Sequence, residues 1–138
     1  MTVQAWIALG SNLGEREEQL AWARGRLGTL PGTQLVAAST IEETKPLGTI
    51  PQPDYLNQMV LVETALPPRV LLEACLEIER ETGRVRGPEK WGPRTLDLDI
   101  VRYDDLTLRE PGLTLPHPGL GEREWWQREL KELAVHER

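Results

Sequence analysis

Residues 96–100 read Leu96-Asp97-Leu98-Asp99-Ile100, an apolar run interrupted twice by a carboxylate at an interval of two. Side chains alternate along a strand, so Leu96, Leu98 and Ile100 can enter a core only if Asp97 and Asp99 share the opposite face. Their Cα atoms then stand roughly 6.6 Å apart, two strand rises. Two carboxylates at that spacing can straddle a pair of hard cations, which two-metal phosphoryl-transfer sites hold roughly 3.5–4 Å apart. Magnesium is the expected metal because it prefers carboxylate and phosphate oxygens. Taken alone, the D-x-D pattern is better described as two aspartates facing water on a half-exposed strand, since a two-residue pattern is weak evidence.

The residues before it favour the first reading. Arg84, Arg86, Lys90 and Arg94 crowd a segment broken by Gly83, Gly87, Pro88, Gly92 and Pro93, a composition that makes loop rather than helix. A cationic loop running into an acidic strand suits a polyphosphate, with arginine forks gripping oxygens and metal neutralising the rest. Trp91 adds a flat apolar surface. Charge runs are commonly solvated loops, but this one is positive in a chain of net charge −6.

That net charge argues against a nucleic-acid binder working through phosphate attraction and leaves room for a small anionic ligand in a local cationic pocket. The 138 residues predict one domain, 1–138, with a core of its own. Cys75 is the only cysteine, so no internal disulfide forms and a reducing compartment is expected. The start of the chain has no basic segment followed by a long apolar run, and no apolar stretch approaches the roughly 20 residues that span a bilayer. The expectation is a cytoplasmic monomer acting on small molecules, with neither nucleic acid nor membrane as partner.

Val3, Ala5, Ile7 and Leu9 alternate with Gln4, Trp6 and Ala8 as a first strand ending at Gly10-Ser11-Asn12. A helix is predicted over 15–30, stopped by Pro31-Gly32, and a second strand over 35–41. Residues 44–54 carry three prolines and a glycine, a long loop of the kind that often serves as a lid or binding loop. A strong strand follows over 55–64, with Tyr55, Asn57, Met59 and Leu61 on one face. Pro67-Pro68 opens the next helix and Gly83 closes it. Its inward face is read as Leu72, Cys75 and Leu76, which draws Glu79 toward the core, where a carboxylate needs a partner; Arg84 or Arg86 would serve. After the acidic strand come a turn at Asp104-Asp105, the segment Leu113-Thr114-Leu115-Pro116-His117-Pro118, and a last helix with Trp126, Leu130 and Leu133 inward. The order β-α-β-β-α-β predicts an α+β fold of the ferredoxin-like, split βαβ kind: an antiparallel sheet with both helices on one face, and ligand and long loops on the other.

Six segments carry a family resemblance in addition, the fourth and fifth separated by residues 87–90. They are 8–14 (Ala-Leu-Gly-Ser-Asn-Leu-Gly), Pro46-Leu47-Gly48, 52–57 (Gln-Pro-Asp-Tyr-Leu-Asn), Gly83-Arg84-Val85-Arg86, 91–100, and 113–117. Through them the chain resembles the 6-hydroxymethyl-7,8-dihydropterin pyrophosphokinases of folate biosynthesis, to about Arg123. The resemblance implies transfer of the β,γ-pyrophosphoryl group of ATP, the co-substrate, to the pterin hydroxymethyl oxygen, with release of AMP. It implies two Mg²⁺ ions on Asp97 and Asp99, with Arg84 and Arg94 joining them as catalytic residues. It puts Glu79, Arg84, Arg86, Lys90, Trp91, Arg94, Ile100, Thr114, His117 and Arg123 toward ATP. Thr44, Leu47, Tyr55, Asn57, Trp91, Asp97 and Trp125 fall toward the pterin, Trp125 in place of a stacking aromatic. Leu76, Lys45 and Gly112 depart from residues common in relatives, 124–130 diverges in wording, and the C-terminus is shorter. Two other readings stay open: a non-catalytic nucleotide or pterin binder, and an RNA-binding sheet of the same topology, which the acidic charge disfavours.

Overall fold

The computed structural model describes residues 1–82 and 96–138; the expected contacts of Arg84, Arg86, Lys90, Trp91 and Arg94 lie outside them. Its elements are β1 (Val3–Ser11), α1 (Arg16–Gly28), β2 (Thr33–Ala38), β3 (Glu42–Thr44), β4 (Tyr55–Thr64), α2 (Pro68–Glu81), β5 (Asp97–Tyr103), β6 (Leu108–Glu110), β7 (Leu113–Leu115) and α3 (Glu124–Leu133). The main sheet runs β2-β4-β1-β5, with β3 also paired to β4, and every pairing is antiparallel. β6 and β7 form a separate hairpin. The protein is thus mixed α and β, built on an antiparallel sheet.

The alternation read in the sequence sorts the strands into two faces. Ala5, Ile7, Leu9, Val60, Val62, Leu98 and Ile100 turn to one side and pack with Leu20, Ala23 and Leu27 of α1 and Leu71, Cys75 and Ile78 of α2. The inward face of α2 is therefore centred one residue earlier than expected: Leu71 is fully buried, whereas Leu76 is only partly covered. Burial pushes the Cys75 thiol pKa up, with the charges of Glu79 and Asp99 adding to the effect, so it packs as a small apolar group. α1 ends at Gly28, just short of Pro31-Gly32, and Gly32 makes the turn into β2 with a φ of +61° that side chains resist. A Cβ there would also stand 3.0 Å from that of Ala65.

Two expectations are corrected. The strand predicted over 35–41 stops at Ala38 as β2, and a separate short strand, β3, follows over Glu42–Thr44, both paired to β4. At the break Ser39 Oγ accepts the Met59 N–H at 2.9 Å and the Glu132 carboxylate takes the Thr40 N–H at 2.7 Å, so side chains replace the ladder. The second face, expected to be left to loops and ligand, is partly covered by α3. Trp126 and Leu133 pack there on Trp6, Ala8, Met59, Leu61 and Val101. That apolar patch fixes where the helix lies and confines the open surface to one end of the sheet.

Candidate active site

Asp97 and Asp99 emerge on the second face of β5, opposite Gly10 and Ala8 of β1, and both are partly exposed. Leu98 between them points into the core, so the strand is held by its apolar side while presenting its carboxylates. β5 is an edge strand, and the Leu98 N–H is satisfied by Oε2 of Glu79 at 2.7 Å. Glu79 leans inward as its spacing predicts and is 4 % exposed. Among the described residues it accepts from the backbone between the two aspartates, the expected pairing with Arg84 or Arg86 lying outside them. It is not among the described residues that line the two clefts below.

The first cleft, of about 230 Å³, is lined by Ala8, Leu9, Gly10, Thr44, Lys45, Leu47, Tyr55, Asn57, Asp97, Asp99, Arg123, Trp125 and Trp126. It collects the described residues expected on the pterin side: Thr44, Leu47, Tyr55, Asn57, Asp97 and Trp125. Asn57 donates to Thr44 Oγ1 at 2.6 Å, tying β4 to β3. The loop after β3 is tethered where it returns to the sheet. Asn12 Nδ2 donates to Gln52 Oε1 at 2.8 Å and to the Pro53 carbonyl at 2.9 Å, and Arg16 donates to the Asp54 carbonyl at 2.9 Å.

A second cleft, of about 250 Å³, lies across β5 and is lined by Leu72, Leu98, Asp99, Ile100, Gly112, Leu113, Thr114, His117 and Pro118. Ile100, Thr114 and His117, all expected on the nucleotide side, meet there. Gly112 turns the β6–β7 hairpin with a φ of +76°, which accounts for a glycine at that position. Arg123, also expected toward ATP, lines the first cleft instead. Its guanidinium lies 4.4 Å above the Trp126 ring and fills the space beside Gly119, where a Cβ would come within 3.0 Å of it.

Asp99 borders both clefts. His117 Nδ1 accepts the Gly119 N–H at 2.9 Å, which places the ring proton on Nε2, 3.6 Å from Asp99 Oδ1. The imidazole stands edge-on to Trp126 at 4.9 Å. Trp126, read from its spacing as core, is 3 % exposed and also carries Arg123 and His117 around the junction of the clefts. Gly10 and Lys45 line the first cleft without having been singled out for it. The Gly-Ser-Asn ending of β1 is the signal for Gly10, and nothing marks Lys45.

The described residues form no group of three His, Cys, Asp or Glu arranged to hold an ion. Two carboxylates without further protein ligands suit Mg²⁺, which keeps water and phosphate oxygens, and do not suit a closed Zn²⁺ or Ca²⁺ cage.

The family model for 7,8-dihydro-6-hydroxymethylpterin-pyrophosphokinase matches residues 6–135. The chain belongs to this pyrophosphokinase family. It is similar to proteins named 2-amino-4-hydroxy-6-hydroxymethyldihydropteridine pyrophosphokinase. That of Haemophilus influenzae is 44 % identical over 96 % of this chain and 82 % of its own length. That of Pseudomonas putida is 46 % identical over 85 % of this chain and 96 % of its own. A folic acid synthesis protein of Schizosaccharomyces pombe is 41 % identical over 94 % of this chain, a stretch that makes up 18 % of that longer protein. Both clefts and the acidic strand fall within the part of the chain that matches the pyrophosphokinase family.

Proposed function

We propose that the protein catalyses the Mg²⁺-dependent transfer of pyrophosphate from ATP to 6-hydroxymethyl-7,8-dihydropterin, giving AMP and the pterin diphosphate, a step of folate biosynthesis. The observation that carries this reading is Asp99 standing on the border of two adjoining clefts, with Asp97 in the first. A donor in one cleft and an acceptor in the other meet at those carboxylates. The pterin hydroxyl oxygen attacks the β-phosphorus, the bond from that phosphorus to the oxygen shared with the α-phosphate breaks, and AMP departs with that oxygen. The hydroxyl proton passes to solvent.

In-line transfer of this kind needs positioning and charge neutralisation more than covalent help. Two Mg²⁺ ions held by Asp97 and Asp99 would neutralise phosphate charge and polarise the attacking hydroxyl. Tyr55 and Trp125 offer flat faces to a bicyclic ring, while Asn57 both donates and accepts hydrogen bonds. Leu47 and Thr44 close the same slot. Ile100 and Thr114 border the nucleotide side, and His117 offers Nε2–H to a phosphate oxygen. Arg123 reaches a phosphate by leaving the face of Trp126. Arg84, Arg86, Lys90, Trp91 and Arg94 belong to this reading as ATP contacts, with Arg84 and Arg94 catalytic, on sequence grounds.

The strand order with its intervening helices supports the ferredoxin-like reading, and a family match spanning 6–135 supports one pyrophosphokinase domain. No helix among the described residues is long and apolar enough to cross a membrane; we infer a cytoplasmic monomer with small-molecule substrates.

Incubation with ATP, MgCl₂ and the hydroxymethyl dihydropterin is expected to yield AMP and pterin diphosphate in equal amounts. Asp97→Asn or Asp99→Asn should lower kcat/KM by at least about a hundredfold with circular dichroism unchanged. ADP as the nucleotide product, or full activity in both variants, would overturn the assignment.

A further inference from the structure

The second face of the sheet also buries a carboxyl group that the proposed reaction does not use. Glu129, on the inner side of α3, is 2 % exposed, and both its oxygens are buried with no hydrogen-bond donor among the described residues. The polar group it meets is the carboxyl of Glu42 on β3. Glu42 is gripped by Arg128, Nε at 3.1 Å and Nη2 at 2.9 Å. Two carboxyl groups at hydrogen-bonding range are compatible only when one carries a proton. Arg128 gives its hydrogen bonds to Glu42, which is also partly exposed, whereas Glu129 is buried and receives none from the described residues, so the proton resides on Glu129 and is donated to Glu42.

The surroundings agree. On its own helix Glu129 is faced by Arg128, which favours its ionised form, and by Glu132, which opposes it; from β3 it is faced by Glu42. β4, on which α3 packs, presents the neutral Asn57, Met59 and Leu61 on this side. The turn following α3 carries His136, whose carbonyl accepts the Gln4 amide. Burial first, then the Glu42 hydrogen bond and charge, raise the Glu129 pKa to about 9.

The two elements joined by this proton carry opposite walls of the first cleft. β3 ends in Thr44, bonded to Asn57, and α3 carries Trp125 in its first turn. We propose that Glu129 is a positioning residue: by donating its carboxyl proton to Glu42 it holds α3 against β3 and so sets the gap between Trp125 and the Thr44–Asn57 wall. The role of that gap as the seat of a flat heterocycle rests on the pterin reading above.

The sign of the pH effect follows. A carboxyl whose folded pKa is raised contributes stability that is complete below the ordinary carboxylate value, declines as pH rises, and is gone once the buried group ionises near pH 9. Within the folded protein the proton stays in place until that pH. Above it two adjacent carboxylates push α3 away from β3.

The test is pterin binding by calorimetry from about pH 7 to about pH 10 with MgCl₂ and a nonhydrolysable ATP analogue, on wild type, Glu129→Gln and Glu129→Leu, beside thermal unfolding without ligand. Wild type should lose about tenfold in affinity across that range. Glu129→Gln, whose amide keeps a donor toward Glu42 at every pH, should lose less than about twofold. Glu129→Leu, filling the space without a hydrogen bond, should bind about tenfold more weakly throughout while remaining folded. Equal pH slopes in wild type and Glu129→Gln, or wild-type affinity in Glu129→Leu, would overturn the proposal. If no form binds pterin at any pH, it is the functional reading that fails, and unfolding decides the proton's role. A melting temperature that falls with pH more steeply in wild type than in Glu129→Gln upholds it, and parallel curves reject it.

Discussion

Asp97 and Asp99 were legible from spacing alone, because a strand's period of two leaves no choice about their shared face once Leu96, Leu98 and Ile100 are buried. Glu79 was legible by half. Helical spacing gave its direction, but spacing names a direction and not a partner, so the acceptor role toward the Leu98 N–H could not be read. A backbone group on an edge strand has no signature in the sequence. Glu79→Ala leaves that buried donor unsatisfied and is expected to lower stability by about 1–3 kcal/mol in urea unfolding, with a fall in turnover because the segment between the aspartates loosens. Glu79→Gln keeps an acceptor and should lose less on both counts. An Ala variant as stable as wild type would remove Glu79 from the support of the acidic strand. The position of His117 edge-on to Trp126 had no signal either, since it depends on how two distant segments pack.

At the level of elements, β1, α1, β4, α2 and β5 follow from apolar periodicity and from Gly and Pro punctuation, with ends displaced by only a residue or two. The division between β2 and β3 did not follow, because it is made by Ser39 Oγ and Glu132 capturing backbone N–H groups. Side chains competing with a ladder leave its composition unchanged. The loop of 45–54 was recognisable from its prolines, yet its attachment to Asn12 was not. Asn12 is 1 % exposed and holds Gln52 and Pro53 just before Tyr55. Asn12→Ala is expected to raise the KM for the pterin by about tenfold, with the KM for ATP nearly unchanged, in steady-state assays varying one substrate at a time. Equal rises for both substrates would show that the tether serves the whole site and not this loop.

For the molecule as a whole, the order of strands and helices carried the antiparallel α and β architecture, whereas the burial of α3 on the second face escaped notice. Trp126, Leu130 and Leu133 marked an amphipathic helix, but nothing local says which side of a sheet such a helix will choose. The outcome is unequal among the described residues: α1 and α2 together cover one face, and the other has a single ten-residue helix resting on Trp6, Met59 and Val101. Opening free energies within a native protein follow the apolar contact each unit would lose. Deuterium uptake by the amides of α3 should therefore run through a local detachment well ahead of the amides of β1 and β4, which wait for global unfolding; simultaneous uptake would mean that the molecule opens only as one piece. If the detachment is seen, the wall that carries Trp125 is hinged on a panel the rest of the architecture can spare. Ageing, mild heat or dilute denaturant would then silence such a catalyst long before its sheet dissolved.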